Sequence, residues 1–202
     1  MNELKNLKIE GMGSCYGGEY NEVRLEGMTS VKDDLKCATF SAEGMCKCEG
    51  QIDAVDMKVE GTFKACKDIR AKRFNAEGYF RAKNCSVNAD EINADGFISC
   101  KELSADIISI EGVCHADKIF GESISINPTE NASTGFGFIF KSAALSKAEL
   151  IECTELEADA LSADIIRANR VKLGKDCKVN ILEYSDTADI HPDAKINKLI
   201  KI

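Results

Sequence analysis

Ten cysteines and two histidines are the residues of this chain with most chemistry to offer. Four thiolates converging on one point bind zinc, usually from two Cys-x-x-Cys spacings. A thiolate beside a histidine is a nucleophile, and a histidine beside a carboxylate moves protons. Only Cys46-x-Cys48 comes near a ligand spacing, and no neighbouring stretch completes the set. His115 and His191 have no carboxylate or nucleophile partner that the sequence places with them. Gly11-Met-Gly13 opens like a dinucleotide fingerprint, but no helical pattern follows it. No catalytic, cofactor or metal site is therefore expected, and no enzyme.

Composition narrows the remaining classes. The 202 residues are 44% apolar, enough to bury a core. With 26 basic against 34 acidic side chains the net charge is −8, so a phosphate-binding footprint is missing and nucleic acid is not an expected partner. No run approaches the roughly 18 apolar residues of a membrane-spanning helix. The opening MNELKNLKIE lacks the basic and apolar regions of an export signal, which makes the cytosol, where thiols stay reduced, the expected compartment.

What positions the cysteines is a repeat. A Glu-Gly dipeptide, once Asp-Gly, places its glycine at Gly11, Gly27, Gly44, Gly61, Gly78, Gly96 and Gly112, in steps of 16 to 18 residues. Between these glycines run apolar pairs of spacing two: Cys46 with Cys48, Ile52 with Ala54, Met57 with Val59, then Phe63 with Ala65. Spacing two puts both side chains on one face of a strand, whereas a helix needs three or four. Three such pairs per repeat describe coils of three short strands pointing inward. Stacked about 4.8 Å apart in parallel, they make an all-β single-chain β-solenoid of about ten coils. Glycine recurs at one corner either for positive φ or to leave room for a neighbour.

The pattern spans the chain as one domain. Coils fill residues 1–126, a breaker-rich loop is expected over 127–140, and coils resume over 141–202. Leu103-Ser-Ala-Asp-Ile-Ile108 returns as Leu161-Ser-Ala-Asp-Ile-Ile166, so both halves belong to one rod.

This register assigns the candidate residues. Cys15, Cys37, Cys46, Cys48, Cys100 and Cys114 fall in inward columns as small buried hydrophobes, and Cys66 points outward. His115 stands in a column expected to face solvent. Immediately after the glycines come Met12, Met28, Met45, Thr62, Tyr79, Phe97 and Val113, an outward apolar stripe suited to lateral contact, to which Phe136 and Phe138 of the loop add a second patch. The two ends carry the main expectation. Leu4, Leu7 and Ile9 enter the pattern at once, and Ile196, Leu199, Ile200 and Ile202 close it without a capping helix. An uncapped solenoid end leaves backbone groups and core open, and another copy of the molecule satisfies both.

Runs such as Val59-Glu-Gly-Thr-Phe-Lys-Ala65 and Asp95-Gly-Phe-Ile-Ser-Cys100, with the closing stretch Leu182–Ile196, resemble the bactofilins, a family of polymer-forming cytoskeletal proteins. The resemblance implies a right-handed parallel β-helix of triangular section. It further implies non-polar filaments formed without nucleotide, and roles in bacterial cell shape, envelope or motility with envelope or peripheral-membrane partners. The chain departs from the family in lacking extended disordered tails and in its 127–140 interruption. Two other readings compete. Left-handed hexapeptide acyltransferases have similar coils, but with an aliphatic residue every six positions. Acidic pentapeptide-repeat binding modules match Ala158-Asp-Ala-Leu-Ser and Ala163-Asp-Ile-Ile-Arg, but not the first 126 residues.

Overall fold

The computed structural model describes residues 4–128 and 145–202; among them there is no helix. Twelve strands follow in chain order: β1 (Leu7–Cys15), β2 (Gly18–Val31), β3 (Leu35–Cys48), β4 (Ile52–Ala65), β5 (Ile69–Arg70), β6 (Arg73–Asn88), β7 (Glu91–Ser104), β8 (Ile107–Asn127), β9 (Ser146–Ala158), β10 (Leu161–Leu173), β11 (Lys178–Ile190) and β12 (Lys195–Lys201). All pair in parallel in one sheet whose spatial order is the chain order, β4 also reaching β6 past the short β5. Each glycine of the repeat lies on the one before it, Gly27 on Gly11 and so on to Gly112 on Gly96. The product is the expected β-solenoid, with about 11 turns. In its last turn Ile196 lies on Val179 and Leu199 on Leu182.

Three short strands per coil prove to be one longer ladder. β3 runs from Leu35 through the glycine corner to Cys48 and breaks only around residues 49–51. Because equivalent corner residues stack on one another, the chain bends without losing its hydrogen-bond partners.

Inward columns carry the core. One runs Val23, Phe40, Met57, Phe74, Ile92, Ile108, Ile124, Leu156 and Val171, all buried. Neighbouring columns compensate in size: Phe63 and Phe80 are followed two residues on by Ala65 and Ala82, whereas the smaller Thr29 is followed by Val31. The phenylalanines interlock, Phe63 parallel to Phe80 with centroids 5.8 Å apart and Phe74 edge-on to Phe80 at 5.0 Å. Such contacts add about 0.5–1.5 kcal/mol each beyond the area they bury.

The corner glycine serves both expected purposes. Gly61 has φ +95°, and a Cβ there would sit 2.7 Å from the carbonyl oxygen of Gly44 on the coil beneath. After β8 the corner changes. Ala158 and Leu161 are separated by two residues where Val59 and Phe63 are separated by three, and Ala160 (φ 50°) and Asp176 (φ 59°) take the positive φ. The interruption leaves from this same corner. Ile126 still lies under Ala158, the Ser146 hydroxyl accepts the Cys114 N–H at 3.0 Å, and Ser146 is paired with Leu161; the expected resumption at 141 lies outside the described residues.

Candidate functional site

The first and last described coils differ from the rest in having a neighbour on one side only. β1 pairs with β2 alone and β12 with β11 alone, so each turns one row of N–H and C=O groups away from the stack. Side chains follow suit. Leu7, Ile9 and Cys15 are half-buried, while Val23, Leu25 and Val31 directly above them are fully buried. At the other end Leu199 is 51% exposed over a fully buried Leu182, and Ile190 and Ile196 are half-buried. Of the seven end residues, Leu7, Ile9, Ile196 and Leu199 thus lie on the open core. Ile200 stands instead over Glu183 in an outer column with Arg167, because an odd step from Leu199 reverses the face. Leu4 and Ile202 are exposed beyond the strands, Ile202 donating its N–H to the Tyr184 carbonyl.

The second surface is the glycine corner. Met12, Met28 and Met45 are exposed, Met12 to 83%, and stack in register; Thr62, Tyr79 and Phe97 continue the column, half-buried. Tyr79 and Phe97 are stacked with centroids 4.8 Å apart. Val113 departs from expectation: it stacks on Phe97 in the same column but is only 7% exposed, covered without being part of the core cluster, so the exposed stripe ends before it. Phe136 and Phe138 lie outside the described residues. His115 is not an open surface imidazole either. Its ring meets Phe97 edge-on at 5.2 Å, and Nε2 is 3.3 Å from the Leu145 carbonyl oxygen, where the chain re-enters the coil.

Register lines up the charges on either side of that stripe. One residue before the glycines stand Glu10, Glu26, Glu43, Glu60, Glu77, Asp95 and Glu111, a rail of acids. Three residues after them stand Ser14, Ser30, Lys47, Lys64, Arg81, Ser99 and His115, a column without a single acid. Lys8, Arg24 and Lys58 pair with Glu10, Glu26 and Glu60. Beside Glu77, Asp95 and Glu111 the corresponding positions are Asn75, Asn93 and Ser109, which line a shallow groove with them.

Among the described residues no group of three His, Cys, Asp or Glu side chains is arranged to hold a metal. The cysteines are core. Cys37, Cys46, Cys48, Cys100 and Cys114 are buried, Cys15 is half-buried and Cys66 is exposed. Cys48 lies 3.4 Å from the Gly50 carbonyl oxygen and Cys177 3.3 Å from that of Ala158, so the thiols donate to backbone. Burial pushes the Cys114 and Cys153 thiols up to about 12 and that of Cys48 up to about 11. Folding therefore keeps these thiols protonated at pH values where the unfolded chain ionises them, from about 8.5 upward. The stability they contribute is whole below that pH and is lost as pH rises toward 12. Thermal melts between pH 8 and 11 should show a falling midpoint, with a shallower fall in Cys114→Ala, and alkylation of the native protein at pH 8 should label Cys66 first.

No family model matches the chain, and no solved structure does. Over 54 residues it is 37% identical to the uncharacterized protein YhbE of Bacillus subtilis (strain 168). That stretch is 27% of this chain, and it spans 23% of the relative's length.

Proposed function

We propose that this chain is a non-enzymatic structural protein that polymerises end to end into filaments of the cytoskeletal kind. The observation that supports this most is the pair of open terminal coils, with a half-buried core at Leu7 and Ile9 on one side, an exposed Leu199 on the other, and an unpaired strand edge on each. Adding a strand of another copy to such an edge satisfies its backbone groups, and covering the core beneath removes apolar area worth about 25 cal/mol per Å². The resemblance of the glycine repeats to bactofilins points the same way and suggests a role in cell shape, envelope or motility, with self as the main partner. No helix among the described residues is long and apolar enough to cross a membrane. Negative-stain microscopy of the purified protein is expected to show thin unbranched filaments without added nucleotide. Short, uniform particles on the order of 50 Å long, the length of one chain at the strand spacing, would contradict the reading.

A further inference from the structure

We infer that the glycine corner is a second self-association surface, on which another copy of this chain lies alongside with the same orientation. This contact is independent of the end-to-end one. Three columns run side by side there: an acidic rail, then the apolar stripe of Met12, Met28, Met45 and Tyr79, then a rail of serine, lysine, arginine and histidine. Two rods packed stripe to stripe and pointing the same way are related by a two-fold axis along their length. That operation brings the acidic rail of each over the basic rail of the other. Rods pointing opposite ways place acid over acid along the whole contact. Like charges so juxtaposed cost several kcal/mol, so the charge pattern selects the parallel pair.

Two further facts fit a second copy better than an unrelated partner. Both rods rise by the same strand spacing, so in the parallel pair every stripe residue meets its own equivalent and the match persists from rung to rung. Of two rail acids without an ion pair among the described residues, Glu77 shares its rung with Arg81, which has no ion pair with any described residue either, and Asp95 stands one rung further on, level with Ser99. The stripe from Met12 to Phe97 is about 25 Å long by strand spacing, short for a stable dimer on its own. Repeated along a polymer it multiplies, so lateral pairing strengthens as filaments grow.

Disulfide trapping tests this in a chain whose ends are blocked by Leu199→Arg and whose exposed thiol is removed by Cys66→Ser. A Met28→Cys substitution should give a disulfide-linked dimer on mild oxidation, because residue 28 meets residue 28 only in the parallel pair; in the opposite pairing it meets the rung of Tyr79. A cysteine at exposed Lys36, away from the stripe, should not. Glu77→Arg should lower the trapped fraction about tenfold, and Arg81→Glu added to the same chain should restore it, since each reversed charge then faces the other across the axis. Absence of the Met28→Cys dimer, equal trapping at position 36, or failure of the second reversal to rescue the first would each overturn the inference. In the first case the stripe belongs to a partner other than this chain.

Discussion

Leu199→Arg is expected to leave the rod folded and to abolish its polymers. Leu199 stands on Leu182 at the top of the core with half of its surface already in water, so removing it from the single chain forfeits about 1 kcal/mol. In the polymer the same position is covered by the next copy, and a guanidinium there would be buried without a partner. An unpaired buried charge costs about 3–5 kcal/mol, which lowers the association constant by roughly two to three decades. Sedimentation should show a single-chain species at concentrations where the parent chain forms fast-moving polymer, with melting temperatures within a few degrees of each other. The control is Ile200→Arg. Ile200 faces sideways with Glu183, so the control should polymerise normally. If both variants assemble like the parent, the ends are not the contact.

The second large effect concerns the corner. Gly61→Ala meets two penalties at once: a side chain in a region of φ that L-residues avoid, and a Cβ 2.7 Å from the backbone of the coil beneath. The strain alone is worth about 1–3 kcal/mol, and relieving the contact must separate two coils that are paired along their whole length. A loss of roughly 3–5 kcal/mol is expected, enough to split the melting transition, because a stack of coils held by nearest neighbours can separate at its weakest interface. Gly11→Ala isolates the first penalty. Its φ is +81°, yet nothing lies within 4 Å of where its Cβ would be, since no described coil is stacked beneath it. It should cost no more than the strain, and calorimetry of the two variants side by side separates conformation from crowding.

The inward columns were legible because they depend on spacing two, which a linear reading preserves. Phe63 with Ala65 and Met57 with Val59 were recognisable as core partners without coordinates. What the linear reading could not carry was height. Coils of unequal length put Glu77 beside Asp95 and Arg81 beside Ser99; the acid before each glycine was already in the repeat, but which of these acids lack an ion pair needed the side chains of neighbouring columns. Val113 was misplaced for a related reason. It follows a glycine and stacks on Phe97 in unbroken register, as the rest of the stripe does, yet it is covered, and nothing in its own column announces that cover. In the later coils the shorter corner lets Ala160 and Asp176 adopt the positive φ, so the glycine signal vanishes while the solenoid continues. His115 read as a surface residue because its partners, Phe97 and Leu145, are 18 and 30 residues away.

Hydrogen exchange followed across a concentration series tests the assembly account most directly, because it reports which backbone groups gain partners. Amides of β3, β4, β7 and β10 already have a paired strand on each side and should be protected at every concentration. Those of β1 and β12 should exchange quickly in dilute solution and become protected as polymer forms. Protection that never changes in those two strands, or that grows elsewhere while they stay open, would contradict the claim that the open coils are where one copy meets the next.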